Sequence, residues 1–593
     1  MKKIFLLSLT VLLMLTMVGC ENFLNQPPYD EFTDEEYWQT EDQARTYMYG
    51  FYTSVFSGYG VDYSHGSFLM GQTSNDDFAS DVKQLDLAPL SVPEADGSWS
   101  FANIRKANYV LESIDRIDAT VAAKNHWRGV ARFFRACYYS NLVFRYGDVP
   151  WYDRVPKFSN TKEDMDYIYK NRDPRVYVDS CIMADFQYAM DSVRASDGNL
   201  QINKYVVAAM ASRFMLREGT FLKYHNLDLD MAEQCLTMAK AAAEMVMKSG
   251  KYAIAPSYKS LFVSDDLGGN TEVIMYRQYA DGVKAHSTLT YSFTEAQAGL
   301  SKSLAESFVT SEGLPVYSKD ANWVAPTAKE FFANRDPRLS MCMRPNPKDS
   351  NLYCIKGIEN QPFHYALSGY SWNKFMDDSK ATTPETTWTG KQNVTDAPCL
   401  RYAEVLLNYA EAAYELHLMS KYTFTQADLD KSINLIRARA DVKLPALQMA
   451  GDQPAINGVT FDDPKRLQIE NVANGGITDA LLWEIRRERR VELCLEGFRL
   501  NDLKRWCKLD YLWNGCNPDI RYGAYIRLSD YPTKAAEVVL EDPNATEGYI
   551  LRNTSDERSR PIKRNYINPI PSNQITLYEA KGYELSQNTE WGW

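Results

Sequence analysis

The chain has 593 residues and a formal net charge of −12, and 45% of its residues are hydrophobic and 24% are charged. This composition is typical of globular proteins, so it excludes a chain that is disordered over most of its length. The acidic balance, without a basic block, also excludes nucleic acid as a partner, because binding to phosphates requires clustered cations. Aromatic residues are frequent, with 39 Tyr, 25 Phe and 12 Trp. Since a buried Tyr hydroxyl needs a polar neighbour, we expect some of these rings to line a surface.

The first twenty residues have the features of an export signal. Lys2 and Lys3 precede a mostly apolar segment over 4–18, which is shorter than the ~20 residues that span a bilayer. A small residue and Cys20 follow directly, as in a bacterial lipobox, so residues 1–19 are predicted to be a lipoprotein signal peptide and Cys20 to carry the lipid. The alternative is an ordinary signal peptide with a chance cysteine. No later segment reaches 18 apolar residues, so the chain is predicted to be anchored to a membrane by lipid and not to span it.

Residues 20–36 are predicted to be a polar tether, after which helical periodicity dominates an N-terminal region over 37–255. Two segments there, 202–224 and 229–249, carry stripes of small side chains and predict an antiparallel helix pair of tetratricopeptide type. A C-terminal region over 256–593 contains long loop-rich stretches. The other predicted elements are helices over 101–117, 124–146 (ending at Gly147), 401–419 and 426–440, a helix capped by Asp173 with Pro174, and strands over 273–276 and 339–343. The fold class is therefore predicted to be mostly α, with tetratricopeptide-like helix pairs, loop-rich insertions and a few short strands in one compact unit.

One short sequence occurs twice. Residues 171–175 and 334–338 both read Asn-Arg-Asp-Pro-Arg. The hydrophobic pattern that follows is helical after the first copy and alternating after the second. Because these periods belong to helices and strands respectively, the two copies are predicted to enter different structures.

Glutamates spaced by four in the segment 483–499 predict one helix face that is at least partly buried, since apolar residues share this face. Buried carboxylates need cations or a metal. A di-metal site is disfavoured because none of the six His residues has a Glu three positions before it, as such sites require. Ion pairs with arginines are the favoured interpretation. The glutamates are Glu484, Glu488, Glu492 and Glu496, and the candidate partners are Arg437, Arg439, Arg489 and Arg499.

No other metal site is predicted. The acidic stretch from Asn75 to Asp81 lacks the spacing of a calcium loop and is interpreted as a solvated loop. The nine cysteines that follow Cys20 include no C-x-x-C pair, and most are interpreted as small buried hydrophobes. Cys342 with Cys354, or Cys507 with Cys516, remain alternatives for a disulfide in an export compartment.

The chain carries no nucleophile elbow, phosphate-binding loop, dinucleotide fingerprint or zinc-protease motif. It is therefore predicted not to be an enzyme and to need no cofactor. A glycoside hydrolase needs only two carboxylates at a suitable separation, so that alternative stays open.

Aromatic residues in the loop-rich segments are the candidates for ligand contact, because flat rings stack on sugar faces while neighbouring polar groups bond the hydroxyls. Trp323 and Trp388 are favoured since they lie in polar stretches, whereas Trp372 lies in an alternating segment typical of a strand. Each ring has the alternative role of packing against its own loop. The candidates are Trp323, Trp388, Trp372 and Tyr291, with Tyr317 and Tyr370 in the same group.

Several sequence blocks follow one another in a recognisable order. The strongest covers 486–496 and continues through 497–506. The others are 23–28 after the lipobox, then 37–44, 132–139, 146–150, 401–412, 433–440 and 568–571. In this order, and together with the lipobox, they resemble the SusD/RagB family of Bacteroidetes outer-membrane lipoproteins over nearly the whole mature chain.

The resemblance implies an α-rich fold with tetratricopeptide-like helix pairs and a binding face built from loops. It also implies a cell-surface lipoprotein that captures a glycan or another nutrient oligomer and sits on a SusC-like TonB-dependent transporter of the outer membrane. Only Cys20 carries over from the family, since the matching blocks are mostly helix-packing positions and the ligand contacts vary among members. A surface glycan hydrolase and a scaffold that binds proteins or peptides remain the alternatives.

Overall fold

Helices form most of the regular structure of the chain. The computed structural model describes residues 37–62, 75–79, 91–157, 159, 161–288, 299–355, 366–377, 392–532, 538–552 and 558–592. Within these ranges, no helix is both long enough and apolar enough to pass through a bilayer. The α-helices are α1 (Glu41–Val55), α2 (Ala102–Ser113), α3 (Val121–Tyr146), α4 (Lys162–Ile168), α5 (Arg175–Ser192), α6 (Lys204–Tyr224), α7 (Leu229–Lys248), α8 (Ser260–Val263), α9 (Lys302–Ala305), α10 (Ala328–Phe332), α11 (Pro337–Cys342), α12 (Tyr402–Leu418), α13 (Gln426–Asp430), α14 (Ile433–Arg437), α15 (Pro464–Glu470), α16 (Ala480–Glu492), α17 (Arg499–Arg505) and α18 (Ser572–Glu579).

Most of the long predicted helices are present, and their ends have clear local causes. α3 ends as predicted at Gly147, whose φ of 75° lies in the left-handed region that glycine adopts without strain. α6 begins where the side chain of Asn203 accepts hydrogen bonds from the first turn, and Asp228 does the same for α7. Local sequence signals therefore determine where these helices start and stop.

Two predicted helix features are wrong. Asp173 does not cap α5, because its carboxylate accepts a hydrogen bond from the Trp151 N–H at 2.6 Å and α5 begins after Pro174 without a side-chain cap. The segment 426–440 does not form one helix, since α13 and α14 are separated at Ser432, whose φ of −132° and ψ of −96° are not helical. The Ser432 hydroxyl bonds the carbonyl of Asp428, a local interaction that competes with helix continuation.

α6 and α7 form the predicted antiparallel pair. The contact is closest at Gly219, where an added Cβ would lie 2.8 Å from Cγ of Leu236 and 3.0 Å from the carbonyl oxygen of Ala232. α7 packs in turn against α12 and α12 against α16, while α6 packs on α5 and α5 on α3. This series of packed helix pairs confirms the predicted mostly α, tetratricopeptide-like architecture.

The strands are short and antiparallel. β1 pairs with β4, β2 with β3 and β8 with β9, while β6 lies between β5 and β7. The predicted strand over 273–276 is confirmed by β1. The strands are β1 (Val273–Arg277), β2 (Met343–Arg344), β3 (Ser371–Trp372), β4 (Ala397–Arg401), β5 (Gln448–Ala450), β6 (Gln453–Ile456), β7 (Val459–Thr460), β8 (Tyr522–Arg527) and β9 (Glu547–Leu551).

The predicted strand over 339–343 is wrong, because most of this segment belongs to α11. The Asp336 side chain accepts from the N–H of Arg338 at 2.9 Å, and Pro337 occupies the first helical position. Both features start helices. Each copy of the Asn-Arg-Asp-Pro-Arg sequence therefore precedes a helix, contrary to the prediction that they enter different structures.

Two hydrophobic cores hold the elements together. The larger one collects side chains from Trp38 to Leu585, and the second lies in the loop-rich region around Tyr258 and Phe308. The predicted boundary between regions near residue 255 stays a prediction. Among the described residues, no disulfide joins Cys342 to Cys354 or Cys507 to Cys516.

The glutamate face of α16 is paired with cations, as predicted, through a buried cluster that we call the α16 ion network. Glu492 accepts hydrogen bonds from Arg338 (2.9 Å), Arg401 (2.7 Å) and Arg439 (2.7 Å). The pairing of β1 with β4 brings Glu272 to 2.9 Å from Arg401. Burial alone would raise the pKa of Glu492, but the three guanidinium groups outweigh it and hold the pKa at about 2. Further pairs are Glu488 with Arg338 and Arg437, and Glu496 with Arg401 and Lys374.

Two of the predicted arginine partners bind elsewhere. Arg489 pairs with Asp502 at 2.9 Å, and Arg499 pairs with Asp76 at 2.6 Å. Asp77 pairs with Arg490 at 2.8 Å. The interpretation of the 75–81 stretch as a solvated loop is therefore wrong at Asp76 and Asp77, which are buried against arginines more than 400 residues further along the chain. Asp81 lies outside the described residues.

A carboxyl group buried between α5 and α6 makes stability depend on pH. Asp179 is fully buried, and burial, together with the neighbouring Glu218, raises its pKa well above the usual range. Both guanidinium hydrogen bonds of Arg175 go to Glu218, so within the described residues Asp179 has no cation of its own. The folded chain therefore keeps a proton on Asp179 at pH values where the unfolded chain has released it.

Replacing Asp179 by asparagine is expected to flatten this pH dependence. Above an unfolded pKa of 3.8, the folded wild-type chain binds one more proton than the unfolded chain, so its stability falls as pH rises, by about 1.4 kcal/mol per pH unit until the folded pKa is reached. The asparagine side chain does not titrate. Denaturation at pH 5 and pH 8 checks this, and an unchanged pH slope in Asp179→Asn would contradict it.

Candidate functional site

α16 presents two different sides to its surroundings. Glu484 and Glu488 are buried, whereas Trp483, Arg487 and Arg490 are partly exposed. Residues that lie three, four or seven positions apart share one side of a helix. One side of α16 therefore carries the ion network, and the other lines a cleft.

The cleft lies between α15, α16, the loop after α9 and the segment after α17. Its walls include Tyr317, Trp483, Trp506 and Tyr511, and we call it the aromatic cleft. The ring centroids of Trp483 and Tyr511 are 6.3 Å apart. Its polar lining includes Ser303, Glu306, Ser307, Asp463, Lys465, Arg487, Asn517 and Asp519.

Asp463 fixes the orientation of the Trp483 indole. One of its carboxylate oxygens caps α15 by accepting from the N–H of Lys465 at 3.0 Å. The other accepts from Trp483 Nε1 at 2.9 Å and pairs with Arg487. Because the ring is held before any ligand arrives, binding against it loses little conformational entropy.

Tyr317 is held at the other wall by lysines. The Lys465 ammonium lies 4.8 Å from the centroid of the Tyr317 ring, and Lys302 donates a hydrogen bond to its hydroxyl oxygen at 3.3 Å. Both lysines pair with Asp519. Burial alone would raise the pKa of Asp519, but the two ammonium groups outweigh it and lower the pKa below its usual range. Burial raises the pKa of Glu306, against the attraction of Lys302.

This arrangement combines flat apolar faces with hydrogen-bonding groups at their edges. The rings offer surface for the C–H groups of a ligand, while carboxylates accept and ammonium, hydroxyl and amide groups donate. The lowered pKa of Asp519 favours acceptance of hydrogen bonds over donation of a proton. In the part of the chain that the structure describes, no group of three or more metal-ligating side chains is assembled.

Trp323, a candidate from the sequence, lies beside the aromatic cleft. Its ring meets Tyr317 edge to face at a centroid distance of 6.3 Å. The guanidinium of Arg335 lies 5.4 Å from the centroid of the indole. Trp323 is partly exposed, so it extends the aromatic surface outward from Tyr317, and its contact with a ligand stays a prediction.

The other candidates occupy different surroundings. Trp372 lies in β3, is 7% exposed and packs edge to face on Phe78 at 5.5 Å. Its role in binding stays a prediction, as do the binding roles of Tyr291 and Trp388 and the lipidation of Cys20. These three residues lie outside the described residues.

The sequence pattern indicated only part of the aromatic cleft. Tyr317 was a candidate because it lies in a loop-rich segment. Trp483, Trp506 and Tyr511 were missed, because they lie in or near helices and their positions suggested helix packing. One available signal was the spacing of Trp483, Arg487 and Arg490, which places them on one side of α16, away from the glutamates.

Comparison with known proteins establishes the family. A sequence model described as the SusD family matches residues 271–591, which is more than half of the chain. This chain belongs to the SusD family, so the resemblance seen in the sequence is confirmed.

Similar proteins cover almost all of the chain. It is 22% identical to SusD-like protein P2 of Formosa agariphila, over 84% of this chain and 89% of that one. A SusD-like carbohydrate binding protein from Bacteroides fragilis has a similar structure, with a TM-score of 0.65, 20% identity and coverage of 91% of this chain and 99% of the other. Surface glycan-binding protein A from Bacteroides fluxus gives a TM-score of 0.54 at 15% identity, over 93% and 99% of the two chains. At these identities the structural likeness shows a shared fold.

Proposed function

We propose that this chain is a glycan-binding lipoprotein of the outer-membrane surface and that an oligosaccharide binds in the aromatic cleft. The observation that carries the proposal is the placement of Tyr317 and Trp483 beside Asp463, Lys465 and Asp519. A sugar ring has C–H faces and hydroxyl edges, which match aromatic faces flanked by hydrogen-bonding groups. Membership of the SusD family and the carbohydrate- and glycan-binding names of similar proteins support the same function.

Binding in the aromatic cleft would be non-covalent. The C–H face of one sugar unit stacks on Tyr317 or Trp483, while hydroxyls exchange hydrogen bonds with the carboxylates and Lys465. Because ion pairs already hold these polar groups in place, little further ordering is needed. A glycoside hydrolase needs a carboxyl group that gives up a proton, and Asp519, whose pKa is lowered by Lys302 and Lys465, does not suit that role.

The lipid anchor and the partner belong to the same proposal. Cys20 would hold the protein at the outer membrane, and residues 20–36 would give it reach from the bilayer. The SusC-like TonB-dependent transporter is the partner that the family resemblance implies. In this arrangement the glycan passes from the aromatic cleft to the transporter with its glycosidic bonds intact.

Removing an aromatic side chain from the aromatic cleft is expected to weaken glycan binding. Affinity gels with a panel of polysaccharides identify a ligand, and calorimetry with its oligosaccharides then compares Tyr317→Ala with the wild-type protein. Truncation of a central aromatic residue commonly costs about 2 kcal/mol, which is roughly a thirtyfold loss of affinity. The same measurement on Trp323→Ala and Trp388→Ala tests the rings favoured from the sequence, each of which is expected to lower affinity without changing the melting temperature.

Tyr177→Ala is the matched control, because Tyr177 is half exposed on α5, far along the chain from the cleft. It is expected to bind as the wild-type protein does. Equal affinity of Tyr317→Ala and Tyr177→Ala, or release of shortened products from the polysaccharide, would overturn the proposed function.

A further inference from the structure

Two cations face the ring of Phe144 without a carboxylate between them. The guanidinium carbon of Arg217, from α6, lies 4.4 Å from the ring centroid, and the ammonium of Lys504, from α17, lies 5.0 Å from it. Cation–π contact accounts for part of their stabilisation. Neither side chain forms an ion pair with any residue that the structure describes. In this respect they differ from neighbouring arginines that are paired with carboxylates.

The hydrogen bonds of Arg217 leave its Nε nitrogen without an acceptor among the described residues. Its two terminal nitrogens donate to Oδ1 of Asn141 (3.0 Å) and to the carbonyl of Ser140 (2.7 Å). The Nε atom is buried, and the Arg217 guanidinium is therefore incompletely hydrogen-bonded.

Arg217 lines a groove in which the other cations already have partners. The groove lies between α6, α17 and the residues before α12. Arg213 is paired with Glu404 at 2.6 Å, and Arg505 is paired with Glu411 at 2.6 Å. The positive charge of Arg217 is therefore the one that is left over in this lining.

Lys504 adds a second unbalanced charge beside the Phe144 ring, adjacent in the chain to Arg505, which lines the groove. Asn501 lines the groove, and Lys504 follows it by three positions on α17, which puts both on one side of the helix. Burial, with Arg145, Arg175 and Arg217 nearby, lowers the pKa of Lys504 to about 7. Burial likewise lowers the pKa of Arg217 to about 9, although Glu218 opposes this shift. A bound anion would relieve the repulsion among these groups.

We propose that the groove beside Phe144 binds an anionic group, a carboxylate or a sulfate, through Arg217 and Lys504. Asn141 and Asn501 at the exposed rim would bind the polar remainder of the ligand. The site lies apart from the aromatic cleft and shares none of the residues that line it. It gives the protein a second binding site, selective for acidic ligands.

Calorimetry with sodium sulfate, sodium glucuronate and glucose at constant ionic strength tests the site on the mature protein. Both anions are expected to bind to the wild-type protein, and glucose is expected not to bind at this site. Arg217→Gln and Lys504→Gln are expected to lose tenfold or more in affinity, while Arg217→Lys retains part of it. Lys106→Gln, a change at an exposed position of α2, is the control and is expected to bind as the wild type does.

The pH dependence provides an independent readout. Sulfate affinity is expected to rise from pH 8 to pH 6 as Lys504 gains its proton, and this rise is expected to disappear in Lys504→Gln. The charged groups packed around Lys504 are Arg145 on α3, Arg175 on α5 and Arg217 on α6. Burial lowers the pKa of His225, which follows α6, to about 4.

The two anions identify the source of the ligand. Sulfate binding without glucuronate binding assigns the site to a tetrahedral anion, and glucuronate binding assigns it to an acidic sugar. Absence of binding by both anions, or equal binding by wild type, Arg217→Gln and Lys504→Gln, would overturn the proposal. Tyr317→Ala is expected to leave anion binding unchanged, so this outcome is separate from that of the aromatic cleft.

Discussion

Replacing Arg401 by methionine is expected to lower the free energy of unfolding by about 3–5 kcal/mol, the range found when one partner of a buried ion pair is removed. Arg401 is 1% exposed and donates hydrogen bonds to Glu272, Glu492 and Glu496 at distances between 2.6 and 2.9 Å. Methionine fills similar space but leaves carboxylates buried with too few cations. The loss is measured by chemical denaturation of the mature protein at neutral pH.

Arg527→Met is the control for the Arg401 prediction. Arg527 also pairs with a glutamate, Glu547, but at 3.4 Å and with both side chains exposed. Exposed pairs contribute about 0–1 kcal/mol, so this variant is expected to unfold nearly as the wild type does. Similar losses in the two variants would mean that the α16 ion network has no special role in stability.

Replacing Gly219 by valine is expected to cost about 3 kcal/mol and to loosen the helix pair on which the architecture depends. An added Cβ would lie 3.0 Å from the carbonyl oxygen of Ala232 and 3.1 Å from Cβ of Cys235, both on α7. Backbone atoms at these distances cannot move aside as a flexible side chain does, so the helices must separate. Overpacking of this kind typically costs about 1–3 kcal/mol, and the β-branched side chain adds strain.

Gly50→Val separates this packing effect from helix propensity. Gly50 lies within α1 at an exposed position, and an added Cβ there would meet no atom within 4 Å. Since valine has a higher helix propensity than glycine, Gly50→Val is expected to leave stability unchanged or slightly higher. Thermal unfolding followed by circular dichroism compares the two variants, and a loss for Gly50→Val as large as that for Gly219→Val would contradict the packing argument.

Local signals in the sequence were sufficient to predict the long helices. The end of α3 at Gly147, the pair formed by α6 and α7, and strand β1 all follow from periodicity and capping residues. Prediction failed where a local interaction competed with periodicity, as at Ser432, and where capping outweighed an alternating pattern, as at Asp336 and Pro337. Such competitions depend on small energy differences that a pattern of apolar residues does not contain.

Long-range partners explain the remaining differences. Burial of the α16 glutamates was predictable from their spacing, but Arg338 and Arg401 were not identifiable as partners because they lie 91 to 154 residues away along the chain. The same holds for Asp76 and Arg499, and for the aromatic cleft, which brings Tyr317 next to residues from α15 and α16. Composition indicated an excess of rings, whereas their assembly into one cleft follows from the tertiary fold.

The most direct test of the central claim is a crystal structure of the mature protein with an oligosaccharide chosen from the affinity-gel panel. We predict a sugar ring stacked on Tyr317 or Trp483, with its hydroxyls within hydrogen-bond distance of Asp463, Lys465 or Asp519. An oligosaccharide bound at another surface, with the aromatic cleft empty, would contradict the account.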